Sequence, residues 1–288
     1  MYAISLIAAP GRLDPALVTS LQTAFGAGSA QWLAPDEAAE FPVETTPSNF
    51  DDIRAEIADM GVDLNILPAT NRKKRLLIAD MDSTMIGQEC IDELADEAGV
   101  GARVADITAR AMNGELDFEA AINERVGLLK GLPVSVITSV LNTRITLAPG
   151  GETLVKTMKA NGAYAALVSG GFVQFTSAIA ARLGFDENRA NTLLENGDTL
   201  SGKVQRPILG QEAKVDALNE ITIRLNITTD DAIAVGDGAN DLAMIHRAGM
   251  GVALHAKPTV AAAAPIKVNH GDLTSLLYLQ GYAKTDFS

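Results

Sequence analysis

Five short, largely apolar runs constrain this chain most: Arg75 to Ala79, Tyr164 to Val168, Ala232 to Val235, Gly251 to Leu254 and Ile266 to Val268. They alternate with stretches of helical periodicity. Runs this short, with no polar residue every second place, suit strands covered on both faces. Strands alternating with helices build a parallel sheet layered by helices. About 80 residues part the first run from the second, with several helical patterns that begin near Glu89 and end near Leu141. That is too long for one crossover, so a helical cap over about 89–148 is expected above the carboxyl ends of the strands.

Ahead of the first run, residues 1–70 read as a small α+β unit: a strand Tyr2 to Ala8, a helix Asp14 to Phe25, a helix Phe50 to Met60 and a strand Val62 to Leu67. That order suggests a split βαβ sandwich, with middle strands weakened by the Gly, Pro and acidic residues around Ala34 to Ser48. The basic run Asn71-Arg72-Lys73-Lys74-Arg75 marks the junction and reads as a solvated linker edge. Residues 75–288 form the second unit. A length of 288 residues accommodates this division.

Composition enters through charge. Twenty-three Lys plus Arg stand against 36 Asp plus Glu, a net charge of −13, which disfavours nucleic acid or an anionic membrane as partner. An anionic substrate would therefore need a local cation or a metal. The single cysteine, Cys90, cannot form an internal disulfide or a multi-cysteine zinc site. The apolar start, Met1 to Pro10, lacks the basic segment of a secretory signal, and no run nears the roughly 20 apolar residues of a membrane span. A cytoplasmic location is expected, with the oligomeric state open and a homodimer among the alternatives.

Chemistry gathers where the apolar runs end. The first leads into Asp80-Met81-Asp82-Ser83-Thr84. If strand alternation persists there, both carboxylates point the same way, at the edge where open α/β sheets bind ligands. Two close acids suit a divided task, one ionised and the other protonated, although an aspartate pair at a strand end can also be a simple turn. The third run leads into Gly236-Asp237-Gly238-Ala239-Asn240-Asp241, whose oxygen donors suit Mg²⁺. The second ends in Ser169-Gly170-Gly171 before a helix Val173 to Leu183, an arrangement that can hold an anion on free N–H groups.

Cations and cap residues complete the set. Lys214, Leu218, Ile221 and Leu225 share one helical face, which aims a cation inward, though lysines on such stripes often only reach back to water. Phe118, Ile122, Arg125 and Leu129 share another face in the cap, where a guanidinium can grip a carboxylate with two hydrogen bonds. Glu89 offers the complementary charge for an ammonium. Gly197 to Val204 nearly spells a nucleotide phosphate loop, but Val204 lacks the metal-binding hydroxyl, and the flanks read as a hairpin turning at Asn196-Gly197. His246, His255 and His270 show no ligand spacing.

Taken in order, Asp80-x-Asp82-Ser83-Thr84, Ser169-Gly170-Gly171, Lys214 and Gly236-Asp237-Gly238-x-Asn240-Asp241 resemble the four motifs of the haloacid dehalogenase superfamily. Glu89, Ala111-Met112-Asn113-Gly114, Phe118 and Arg125 resemble the substrate-binding cap of its phosphoserine phosphatase family. The resemblance covers about 75–285, and residues 1–70 resemble, weakly, ACT-type regulatory modules. It implies a Rossmann-like parallel sheet with a helical cap insertion and a small amino-terminal α+β domain, possessing Mg²⁺-dependent hydrolysis of O-phosphoserine. By the same resemblance Asp80 is the nucleophile and Asp82 the general acid/base. Lys214 and Ser169 assist catalysis, and Glu89, Met112, Phe118, Arg125, Ser169, Gly170, Lys214 and Asn240 contact substrate. Asp80, Asp82 (through its main-chain carbonyl) and Asp237 hold the metal, with Asp241 behind them. The alternatives are another small-metabolite phosphatase or phosphotransferase, and a serine-sensing protein.

Overall fold

A computed structural model describes residues 1–112 and 115–288, the side chain of Met112 excepted. The amino-terminal unit runs β1 (Tyr2–Ala8), α1 (Pro15–Ala24), β2 (Gln31–Ala34), β3 (Ala38–Val43), α2 (Phe50–Glu56) and β4 (Val62–Pro68). Its four strands lie in the order β2-β3-β1-β4, the split βαβ arrangement expected. Helix α1 starts at Asp14, whose carboxylate accepts the Ala16 N–H at 2.8 Å, with Pro15 at its first position. The middle strands form despite their composition. Pro42 sits beyond the residues that β3 pairs with β2, so its missing N–H breaks no bond there. The second helix stops at Glu56, and a short 3-10 turn over Ala58–Met60 with Gly61 at φ 74° brings the chain into β4.

The second unit opens with β5 (Leu76–Ala79) and the cap helices α3 (Cys90–Glu97), α4 (Gly101–Met112), α5 (Phe118–Gly127) and α6 (Ser135–Thr143). Then follow α7 (Gly151–Ala160), β6 (Tyr164–Phe172), α8 (Val173–Leu183), β7 (Glu187–Asn191), the hairpin β8 (Leu193–Asn196) and β9 (Thr199–Val204), and α9 (Gln211–Arg224). The chain ends with β10 (Ala232–Gly236), α10 (Leu242–Arg247), β11 (Met250–Leu254), α11 (Pro258–Ala263), β12 (Ile266–Val268) and α12 (Ser275–Leu279). Six parallel strands lie in the order β12-β11-β10-β5-β6-β7. The order reverses at β5, so the crevice above the carboxyl ends of β5, β6 and β10 is where a ligand belongs. Every residue of β5 and β10 is buried, as apolar runs covered on both faces should be.

Two features hold the cap in place. Its two linkers pair with each other, Gly87 N–H to Thr146 O at 3.0 Å and Ala148 N–H to Met85 O at 2.9 Å. The β8–β9 hairpin, the segment that mimics a phosphate loop in sequence, turns at Asn196-Gly197 as expected and bonds the cap: Leu200 N–H donates to Leu132 O at 2.8 Å. The amino-terminal unit is docked by polar groups. Buried Asp63 accepts three successive N–H groups, of Asn269, His270 and Gly271, at 2.7, 3.0 and 2.9 Å. Arg72, from the basic junction, makes a two-pronged bond with Glu40 and also donates to Leu279 O. The junction is therefore not a free linker edge throughout.

Candidate active site

Strand β5 delivers the first two acids. Alternation carries on past its end, so Asp80 and Asp82 both line one cavity of about 390 Å³ while Met81 between them is fully buried in the core. A turn follows at once, with Ser83 in the left-handed region at φ 54°. That turn sends the Ser83 hydroxyl to Glu89 Oε1 at 2.7 Å and lets Thr84 Oγ1 donate to Asp237 Oδ1 at 3.1 Å. The second of these bonds joins two parts of the site that lie far apart in the chain.

Asp82 is held on both oxygens. Oδ1 accepts the Cys90 N–H at 2.9 Å, from the start of α3, and Oδ2 accepts the Ser169 hydroxyl at 3.2 Å, from the end of β6. The Ser169 hydroxyl in turn accepts the Gly171 N–H at 2.8 Å. Only glycine fits at 171, where a Cβ would lie 2.7 Å from Asp82 Oδ2. Burial pushes the Asp82 carboxyl above its ordinary range, against the pull of these donors. A carboxyl of that kind can keep a proton to give.

Behind the cavity floor lies a tight ion cluster. Lys214 reaches from the first turn of α9 to Asp80 Oδ1 at 2.7 Å and Asp241 Oδ1 at 2.5 Å, with all three side chains buried. It lines an adjoining cavity beneath the floor, not the main one. Burial alone would favour its neutral form, but the two carboxylates raise its affinity for the proton, so it stays an ammonium. Asp80 is pushed well above the usual carboxylate range, by burial first and by Asp241 next, with Lys214 pulling it back. Gly236 passes so near Asp241 that a Cβ would lie 2.3 Å from its carboxyl carbon.

Asp80, Asp237 and Asp241 each place a carboxylate oxygen within 4.8 Å of the others. An all-oxygen set with an excess of negative charge over Lys214 fits a hard divalent cation. Asp241 has both oxygens engaged, by Lys214 and by the Gly238 N–H at 3.0 Å. Asp80 and Asp237 each keep an oxygen with no hydrogen-bond donor among the described residues.

The cap supplies the facing wall. Glu89, Phe118 and Arg125 line the same cavity as Asp80, Asp82, Ser169, Gly170, Asp237 and Asn240. The Phe118 ring rests on two glycines, 3.4 Å from a Cβ placed on Gly170 and 3.3 Å from one on Gly210. Arg125, half-buried on α5, bonds only its own helix at Ala121 O among the described residues, and burial lowers its proton affinity against the charges of Asp92 and Glu89. Glu89 stays open to solvent at the cavity mouth. Desolvation by the walls and the charge of Asp82 push its carboxyl up to about 7. Met112, with 113–114, carries an expected contact that lies outside the described residues.

Sequence reasoning missed several lining residues: Asp92, Thr108 and Lys257. The Thr108 hydroxyl is buried with no partner among the described residues, and Asp92 is an exposed residue in the first turn of α3. A helical wheel of α4 would have put Thr108 on the face of the buried Val104, whereas Asp92 falls off the buried face of Cys90, Ile91, Leu94 and Ala95, and Lys257 precedes α11 with no pattern to mark it. The Cys90 side chain is buried, and its N–H holds Asp82.

Comparison with known proteins gives this geometry a context. Residues 77–246 match the haloacid dehalogenase-like hydrolases. The chain is 44% identical over 228 residues to a probable phosphoserine phosphatase of Schizosaccharomyces pombe, across 78% of this chain and 76% of that one. It is 43% identical over 227 residues to the phosphoserine phosphatase of Archaeoglobus fulgidus, across 78% of this chain but only 65% of that relative's length. Among solved structures, a HAD-family hydrolase from Salmonella enterica serovar Typhi superposes with a TM-score of 0.88 at 33% identity, over 97% of this chain and 98% of that one.

Proposed function

This chain belongs to the haloacid dehalogenase-like hydrolase family, and we propose that within it the protein is a Mg²⁺-dependent phosphoserine phosphatase. It hydrolyses O-phospho-L-serine to L-serine and phosphate, the last step of serine biosynthesis, in the cytoplasm. The observation that carries this is the convergence on one cavity of two strand-end carboxylates with a cap-borne glutamate and arginine. Phosphoserine has a phosphate, a carboxylate and an ammonium, and the cavity offers each a partner: the Lys214-backed acid cluster with its cation, Arg125, and Glu89. The relatives named phosphoserine phosphatase support the same substrate.

In the reaction Asp80 Oδ attacks phosphorus as the bond from phosphorus to the serine oxygen breaks, and Asp82 gives that oxygen its proton. An aspartyl phosphate and free serine result. Asp82 then takes a proton from a water whose oxygen attacks phosphorus, which frees the Asp80 carboxylate and inorganic phosphate. The Gly170 N–H would meet the transferring oxygens, joined by the Ser169 hydroxyl once it turns from Asp82 Oδ2. Fixed donors of this sort are the main catalytic aid in phosphoryl transfer, where loss of one costs about 3 kcal/mol. Asp80, the Asp82 main-chain carbonyl and Asp237, with Asp241 behind them, would hold Mg²⁺, which when bound would supply positive charge to the phosphoryl group. Asn240 orients that group from the cavity wall. Phe118 excludes water from the reacting atoms.

In the same proposal residues 75–288 are the phosphatase domain, with the cap at about 89–148, and residues 1–70 an ACT-like domain of regulatory type. Phosphate release from L-phosphoserine, phosphothreonine and glycerol phosphate, with and without Mg²⁺, tests it. A clear preference for phosphoserine that needs Mg²⁺ is expected. Equal rates on all three would leave a phosphatase without this substrate, and no release from any would end the proposal.

A further inference from the structure

Strand β7 ends on Asn191, whose side chain is nearly inaccessible at 2% exposure. Its amide nitrogen donates to Gly170 O at 2.9 Å and to Leu209 O at 3.1 Å, and its oxygen accepts the Leu209 N–H at 2.7 Å. Both donors of the amide are used, on opposite partners. These bonds tie together two segments far apart in sequence. One is the bulged turn Ser169-Gly170-Gly171 at the end of β6, which lines the cavity. The other is Leu209-Gly210, which opens α9, the helix that carries Lys214 to Asp80 one turn later.

Gly170, which Asn191 bonds, and Gly210, the neighbour of the bonded Leu209, meet the same cap side chain. Gly170 and Gly210 together make the flat seat on which the Phe118 ring rests. We propose that Asn191 is a positioning residue for this site. It sets the separation of the phosphate-facing loop from the start of α9, and with it the seat for Phe118. It touches neither substrate nor any reacting atom. The inference deepens the phosphoserine phosphatase proposal and rests on it.

The side-chain type is dictated by what it joins. Aspartate has the same shape and still accepts the Leu209 N–H, but it would turn an acceptor toward two carbonyl oxygens. Alanine would leave two buried carbonyls and one N–H without partners, each a substantial penalty in a dry interior. In either case the two segments are expected to drift apart, and reacting groups displaced by an ångström lose much of their rate.

The test compares the parent, Asn191→Asp and Asn191→Ala on L-phosphoserine and on p-nitrophenyl phosphate with Mg²⁺, beside melting curves. Both folded variants are expected to lose kcat by about tenfold to a hundredfold on both substrates, by a common factor, with KM changed by less than kcat. The common factor separates this role from recognition by the cap, which p-nitrophenyl phosphate does not use. A folded Asn191→Asp with the parent's kcat overturns the inference. So does a loss confined to KM for phosphoserine, and so does failure of both variants to fold, since the amide would then hold the domain and not the site. Turnover of phosphoserine by the parent, measured in the same assay, tests the proposed function separately.

Discussion

The ammonium of Lys214 lies 2.7 Å from the Asp80 carboxylate with both side chains sealed from solvent. The acid proposed to attack phosphorus is thus paired on one oxygen and left with the other toward the cavity. Lys214→Met would leave Asp80 and Asp241 as buried charges without a cation. Removing one partner of a buried pair costs about 3–5 kcal/mol, so a marked fall in melting temperature is expected in Mg²⁺-free buffer, and loss of phosphate release in buffer that contains Mg²⁺. An unchanged melting curve would show that the pair carries no net stability.

Cation binding should show in stability as well as in rate. A ligand present at a hundred times its Kd raises stability by about 2.7 kcal/mol. Mg²⁺ is therefore expected to raise the melting temperature of the parent, and Asp237→Asn to shrink that rise, since Asp237 is one of three acids with oxygens within 4.8 Å of one another. An equal rise in parent and variant would place the ion elsewhere.

Arg125 has only its own helix as hydrogen-bond partner among the described residues, which leaves its fork free for a substrate carboxylate. Loss of a hydrogen bond to a charged group is worth about 1.5–3 kcal/mol. Arg125→Ala should therefore lower kcat/KM for phosphoserine by about tenfold to a hundredfold while sparing p-nitrophenyl phosphate. A matching loss on both substrates would assign Arg125 to the fold of the cap instead.

Glu89 gives a pH dependence with a definite sign. Its carboxyl is raised to about 7, so the ionised form that holds an ammonium prevails above that pH and fades below it. KM for phosphoserine is expected to rise as pH falls from about 8 to about 6 in the parent, and Glu89→Gln should have a high KM with less dependence on pH. The stability effect runs the other way. A carboxyl raised on folding contributes stability below its unfolded value and loses it as pH rises through about 7, so Glu89→Gln should melt higher than the parent at about pH 8. A lower melting temperature there would contradict the sign of the shift.

Much of the site was legible because it sits where apolar strands stop. Burial on both faces forces β5, β6 and β10 to be written in apolar residues, so the polar residues at their ends stand out: Asp80 and Asp82, Ser169, Asp237. Strand β7 was missed for the converse reason. It is an edge strand of Glu187-Asn-Arg-Ala-Asn191, half-covered and stabilised by its backbone ladder and by ion pairs such as Arg189 with Glu220, so it has no apolar run to show. Asn191 at its end was hidden with it.

The sequence by itself determined the layered α/β fold, the cap insertion, the small leading sheet and the acids at the strand ends, because apolar periodicity and backbone chemistry are local properties of the chain. Only the tertiary structure decided that Lys214 lies under the floor between Asp80 and Asp241, that a Cys90 N–H holds Asp82, that Asp63 receives three N–H groups from the far end of the chain, and that Asn191 joins Gly170 to Leu209. Apart from the Cys90 N–H, which lies eight residues from Asp82, each is a polar contact between segments remote in sequence. Its partner is fixed by how the layers pack, and no spacing within either segment records it.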